Sequence, residues 1–248
     1  MFRLFIAVFA LVTSACASDA TEAPFATEAI ASFDEPWAMA FLPDGRLLVT
    51  EKKGRLLLVS TADGDAVAVT GVPDVDYGGQ GGLGDVVLHP DFADNNRVYL
   101  SYAEAGDEGI RGAAVVSATL NLAPASESLS NVEVIWRQQP KVTGRGHYGH
   151  RLLFSDDGHL FISSGDRQKF DPAQDMGGNL GKIVRLNDDG TVPDDNPFAS
   201  SGGVTAQIWS LGHRNPLGIA FDASGQLWNV EMGPRGGDEL NRVLRGEN

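Results

Sequence analysis

Four times along the chain a short apolar run meets an Asp, Gly or Asn turn and continues into a second apolar or alternating run. The four stretches are FLPDGRLLVT from Phe41, VLHPDFADNNRVYLSY from Val87, LFSDDGHLFISS from Leu153 and AFDASGQLWNV from Ala220. Turn residues flanked by period-two apolar positions predict β-hairpins. Aligning Phe41, Leu88, Phe154 and Phe221 gives separations of 47, 66 and 67 residues. A hairpin cannot bury both its faces alone, and four-stranded units repeated at such intervals build β-propellers, whose loops gather at one end around a central axis. A β-sandwich of irregular hairpins is the alternative. The pattern shows no long helix, so the fold class is all-β with about four blades. The chain stops at VLRGEN within a strand–turn pattern, and it is therefore expected to be a piece of a longer one.

Between the hairpins lie glycine-rich segments: DYGGQGGLGD (76–85), GRGHYGHR (144–151), SSGDRQKFDPAQDMGGNLGK (163–182), SLGHRNPLG (210–218) and EMGPRGGDELN (231–241). They carry much of a high total of 30 glycines in 248 residues, which implies many turns or close backbone approaches. Placed at strand ends of a propeller, these distant pieces can meet.

Charge narrows the partners. With 19 basic against 33 acidic residues the formal net charge is −14, which argues against binding nucleic acid or anionic lipid through a general positive field. A small ligand fits better. At the N-terminus, MFRLFIAVFALVTSACASDA runs from one arginine through an apolar stretch to small residues, the order of an export signal. Residues 1–17 are read as that signal, ending either before a lipidated Cys16 or after Ala17. Both readings place the protein outside the cytoplasm, in the periplasm, and any membrane attachment would be through lipid on Cys16. Cys16 is the only cysteine, so no internal disulfide can form. Residues 18–30 read as a tether and 31–248 as the propeller domain.

His147 and His150 stand three apart, but Gly144, Gly146 and Gly149 disfavour a helix that would bring them to one face. A zinc site would need a third ligand of similar standing, which neither Cys16 nor His89 supplies. One histidine acting as a general base is the better reading, since imidazole titrates near neutrality. Asp166, one hairpin later, could return to orient it; a surface histidine beside a turn aspartate is the bland alternative. In GHRNP, Arg214 and Asn215 present guanidinium and amide donors suited to a carbonyl-rich anionic ligand, or they brace a loop. In MGPRGGDE, the Gly233–Pro234 carbonyls, with Asp238 and Glu239 nearby, suit calcium, or mark an ordinary turn. The acidic DDGTVPDDNPF (188–198) lacks EF-hand spacing and reads as a solvated turn.

Taken together, PWAMAFLPDGRLLVTEKKGRL, GGQGGLGDVVLHPDF, HYGHRLLFSDDGHLFISSGDR, NLGKIVRLNDDGTVPDDNPF, GHRNPLGIAFD and EMGPRGGDELN resemble the PQQ-dependent glucose/sorbosone dehydrogenase family, above all its soluble aldose sugar dehydrogenases. The resemblance covers Pro36 to Asn248. It implies a six-bladed β-propeller with pyrroloquinoline quinone (PQQ) near the axis, of which about four blades are present here. The implied reaction oxidises the C1 hydroxyl of aldoses to lactones, passing electrons on to an acceptor the sequence does not identify. His147 matches the base that takes the anomeric hydroxyl proton while hydride leaves C1 for the quinone. Asp166 matches the carboxylate that orients it, and Gln80 a side chain lining the cofactor and substrate site. Arg214 and Asn215 match the pair on the quinone oxygens, with Arg214 also stabilising the charge that grows there; Gly233 and Pro234 match the carbonyls that hold Ca²⁺. His150 stands where relatives carry a second glycine. Gly146 stands where glucose-specific members are acidic, which leans towards the broad aldose branch. Two rival readings are a calcium-dependent lactonase, which would bring several carboxylates to the axis, and a propeller that binds a partner without catalysis.

Overall fold

The computed structural model describes residues 25–248, so the export signal and Cys16 lie outside the described residues. Four antiparallel sheets follow one another along the chain. The first comprises β1 (Pro36–Phe41), β2 (Leu47–Glu51), β3 (Arg55–Val59) and β4 (Ala66–Val69); the second, β5 (Leu83–Leu88), β6 (Arg97–Ala105), β7 (Arg111–Asn121) and β8 (Ser128–Arg137). The third comprises β9 (Gly149–Phe154), β10 (Leu160–Ser164), β11 (Lys182–Leu186) and β12 (Ile208–Leu211). The fourth has three strands, β13 (Pro216–Phe221), β14 (Leu227–Glu231) and β15 (Glu239–Arg242). Each is a meander, and the first strand of each contacts the first strand of the next: β1 with β5, β5 with β9, β9 with β13. This is the blade arrangement of a β-propeller, seen over four blades. Among the described residues helix is confined to one turn at Phe92–Asn95 and short 3-10 turns.

The four hairpins expected from the turns are the β1–β2, β5–β6, β9–β10 and β13–β14 pairs. Their alternating positions feed apolar layers between blades. Leu48, Leu56 and Leu58 of the first blade pack with Val86, Val98 and Leu100 of the second. Tyr99, Val115 and Trp136 meet Leu152, Ile162 and Val184 between the second and third. Phe161 and Ile183 meet Leu227 and Val243 between the third and fourth.

A polar device repeats inside this packing. Each of the four hairpins has a register irregularity near the same end, at 36/38, 83/86, 162/164 and 216/218. In the first three blades a buried hydroxyl of the second strand accepts an inner-strand N–H there: Thr50 from Ala38 at 3.0 Å, Ser101 from Asp85 at 2.8 Å and Ser163 from Arg151 at 3.0 Å. The same hydroxyl donates to the inner strand of the next blade: Thr50 to the Gly84 carbonyl at 2.7 Å, Ser101 to His150 at 2.7 Å and Ser163 to Pro216 at 3.0 Å. Bulges leave backbone groups unpaired, and the hydroxyls satisfy them while latching blade to blade. In the fourth blade the corresponding residue, paired with Gly218 as Thr50 is with Ala38, is Val230.

Candidate active site

The bulged ends of the hairpins share one rim, because every inner strand begins there and every second strand ends there. Gln80 precedes β5, His147 precedes β9, Asp166 follows β10, Arg214 and Asn215 precede β13, and Gly233 follows β14. Residues scattered over more than 150 positions of sequence are thus gathered by topology alone.

His147 and Asp166 are both 1% exposed, and His147 Nδ1 lies 2.7 Å from Asp166 Oδ1. The histidine is therefore not the surface residue of the bland reading. A carboxylate only accepts, so the bond places the ring proton on Nδ1 and leaves the Nε2 lone pair free. Nε2 has no partner among the described residues. Burial pushes the Asp166 carboxyl up, but bonds from His147 and from the backbone N–H groups of Gln168 and Phe170 outweigh it and hold the group below the usual carboxylate range. Gln80 Oε1 accepts the His147 N–H at 2.6 Å, and the Asp166 N–H donates to the Arg214 carbonyl at 2.8 Å. Asn215 Oδ1 accepts the Gly149 N–H at 3.2 Å. His147, Asp166, Gln80, Arg214 and Asn215 thus form one bonded group.

Two glycines make the convergence feasible. A Cβ on Gly165 would lie 2.2 Å from the His147 carbonyl oxygen and 3.1 Å from Asn215 Oδ1. A Cβ on Gly233 would lie 1.7 Å from the Gly237 carbonyl oxygen, so the loop can fold back on itself only with glycine there. The rim is strained as well: His147, His150, Arg167 and Gln168 adopt left-handed conformations with φ of 51°, 78°, 57° and 60°.

Packed against this strained loop is a residue that sequence reasoning passed over. Arg167 is 1% exposed and its guanidinium donates to three carbonyls, Gly146 at 2.9 Å, Arg111 at 2.7 Å and Gly144 at 2.6 Å, while stacking 3.8 Å from the Tyr148 ring centre. It fixes the loop that carries His147. Its place directly after Asp166 was the available signal. Glu231 and His213 were also missed, and are taken up below.

A cavity of about 270 Å³ opens beside this group, lined by Trp37, Lys52, Gln80, Tyr148, His150 and Asn215 among others. His150 is buried, stacks on Tyr148 with ring centres 5.1 Å apart and meets the Trp37 edge at 5.8 Å. Burial pushes its imidazole down to about 3, and neither ring nitrogen has a partner.

The residues present fit an anionic, oxygen-rich cofactor. The Arg214 Nη1 group donates to the Met232 carbonyl at 2.6 Å, whereas its buried Nε has no partner among the described residues. An N–H left so calls for an acceptor oxygen. The Gly233–Pro234 loop is closed by Gly233 N–H to Asp238 at 3.0 Å and by Gly237 N–H to the Pro234 carbonyl at 3.1 Å. The Gly233 carbonyl takes no N–H from the described residues, and Pro234 retains a second lone pair, a donor set suited to a hard cation. Among the described residues no three His, Cys, Asp or Glu side chains gather as a metal-ligand set, which is what the lactonase reading asks for.

Fold and rim together define a segment of a β-propeller whose polar chemistry is concentrated at the axial end. Residues 33–248 match the Glucose / Sorbosone dehydrogenase family, and the chain belongs to it. It is 45% identical to the aldose sugar dehydrogenase YliI of Escherichia coli, over 97% of this chain and 66% of that protein. It is 30% identical to quinoprotein glucose dehydrogenase B of Acinetobacter calcoaceticus, over 88% of this chain and 50% of that one. The PQQ-bound aldose sugar dehydrogenase of Streptomyces coelicolor superposes with a TM-score of 0.80 at 30% identity, covering 89% of this chain and 64% of that structure. The chain spans between half and two thirds of the length of these relatives.

Proposed function

We propose that the protein to which this chain belongs oxidises the C1 hydroxyl of aldose sugars to lactones, with PQQ and Ca²⁺ as cofactors. The observation that carries the reading is the buried His147–Asp166 pair, 2.7 Å apart, with a free Nε2 on the rim that also bears Arg214 and Asn215. PQQ, when bound, supplies the two-electron acceptor that no amino-acid side chain provides. Arg214 and Asn215 would hold its quinone oxygens, and the Gly233 and Pro234 carbonyls would hold the calcium.

His147 Nε2 takes the proton of the sugar's C1 hydroxyl as hydride leaves C1. Asp166 keeps the ring in the tautomer that can accept it and stabilises the imidazolium that results. Gln80 fixes the His147 backbone, so the base approaches from one direction. With PQQ bound, the Arg214 guanidinium, whose Nε has no partner among the described residues, would supply a positive donor to the cofactor's oxygens. The names of the relatives, an aldose sugar dehydrogenase and a quinoprotein glucose dehydrogenase, support the substrate class and the cofactor. Export to the periplasm belongs to the same proposal and rests on residues 1–17.

His147→Ala in the full-length protein tests it. Sugar-dependent dye reduction is expected to fall roughly 10²–10⁴-fold while PQQ binding persists. Undiminished dye reduction, or dye reduction that does not depend on PQQ, would sink the reading; lactone hydrolysis without PQQ and no dye reduction would favour the lactonase.

A further inference from the structure

Glu231 closes β14 and is 4% exposed, yet it touches none of the groups assigned a role in the reaction through a side chain. Its carboxylate is instead saturated by donors. Oε1 accepts the Arg214 N–H and, at 3.2 Å, the Asn215 N–H; Oε2 accepts from His213 Nδ1 at 3.1 Å and Asn229 Nδ2 at 3.3 Å. Behind it, His213 Nε2 pairs with Ser210 Oγ at 2.7 Å. The order serine, histidine, carboxylate is that of a nucleophile relay, but the backbone N–H groups of Leu211, Gly212 and His213 are spent on the carbonyls of Glu247, Ala173 and Gly181. Ser210, at 3% exposure, has no oxyanion donors beside it and serves as the anchor of the chain of bonds.

That chain ends on both halves of the proposed cofactor site. Glu231 holds the Arg214–Asn215 turn by its two N–H groups, and the next residue, Met232, returns its N–H to the Asn215 carbonyl at 3.2 Å and takes the Arg214 guanidinium at 2.6 Å. Gly233 follows directly. The first blade contains the same backbone bracket without the lock: Glu51 Oε1 accepts the Asp34 N–H at 2.7 Å and the Lys52 N–H reaches the Glu35 carbonyl at 3.1 Å. There Phe33 stands in place of His213, and the second carboxylate oxygen meets only the exposed Arg55 at 3.3 Å. The bracket recurs in the first and fourth blades, whereas Tyr102 and Ser164 hold that position in the second and third; the imidazole behind it is particular to the blade that carries Arg214 and Asn215.

We propose that Glu231, locked by His213, is a positioning residue that holds the Arg214–Asn215 turn and the Gly233 carbonyl in one fixed relation, so that quinone and calcium bind as a coupled pair. This rests on the function proposed above. The test uses the full-length protein with Glu231→Gln, His213→Leu and, as a control, Glu51→Gln. PQQ affinity is read by absorbance titration of the apo protein, Ca²⁺ affinity by calorimetry, and stability by thermal unfolding without cofactors. Glu231→Gln and His213→Leu are expected to raise Kd for PQQ and for Ca²⁺ by roughly tenfold or more. Glu51→Gln should lower the apo Tm and leave both Kd values in place. Kd values within about twofold of wild type for both rim variants, or an equal shift from the control, would overturn the proposal. Should Glu231→Gln fail to fold, His213→Leu decides alone. A wild-type protein that binds neither PQQ nor Ca²⁺ removes the parent function and this inference together; normal wild-type binding with unmoved variants removes the inference only.

Discussion

His147 and His150 lie three positions apart and do opposite things with the same ring. His147 is bonded to a carboxylate and keeps one nitrogen unbonded; His150 is sealed between Tyr148 and Trp37 with both nitrogens unpaired. Burial, reinforced by Arg167 and Arg151, pushes His150 down to about 3, below its ordinary 6.5. Between those values the unfolded chain binds the proton that the folded one refuses, so stability is lost as pH falls from about 6.5 towards 3. At pH 5 the loss from this group is on the order of 2 kcal/mol. Urea unfolding at pH 7 and pH 5 should show it, and His150→Phe, which keeps a ring there, should flatten that part of the pH dependence. An unchanged slope in the variant would refute the assignment. The motif around His147 was legible because its neighbours Gly146 and Gly149 mark a loop. The fate of His150 was not, since the space for its ring comes from Gly84, whose Cβ would lie 2.8 Å from the imidazole.

At the scale of the element, hairpins were readable and their ends were not. Turns such as LPDG, SDDG and DASG announced the strand pairs, because turn chemistry and period-two alternation are local. The bulges at the rim depend on partners one blade away, so no local pattern announces them. Gly165, just past β10, shows what such a position tolerates. Gly165→Ala would force the Cβ against the His147 carbonyl, 2.2 Å away, in a backbone that has no room to yield. The expected result is a destabilisation of roughly 1–3 kcal/mol from overpacking, with sugar turnover reduced further than stability alone explains, because His147 and Asn215 are pushed apart. Thermal unfolding and steady-state kinetics on one preparation would separate the two effects. A variant with wild-type Tm and turnover would show the approach to be loose.

For the molecule as a whole, the repeat separations of the hairpins pointed to blades, and the family resemblance supplied their number and order. What joins the blades, beyond apolar packing, is the row of hydroxyls at Thr50, Ser101 and Ser163. Thr50, Ser163 and Val230 all stand nine residues after an aligned phenylalanine, but a hydroxyl in a strand carries no sign of where its second bond goes. Ser101→Ala strands the buried Asp85 N–H and His150 carbonyl together. A cost of about 1–3 kcal/mol is expected, read as a lower urea midpoint at unchanged m-value, with the same sign for Ser163→Ala and Thr50→Val. A neutral Ser101→Ala would mean that packing alone joins the sheets.

These hydroxyl bonds all point one way along the chain. Each donor precedes its acceptor, by 34 residues for Thr50, 49 for Ser101 and 53 for Ser163. The stack of sheets therefore has a direction built into it, since each of the first three blades offers a donor to the blade that follows it in sequence.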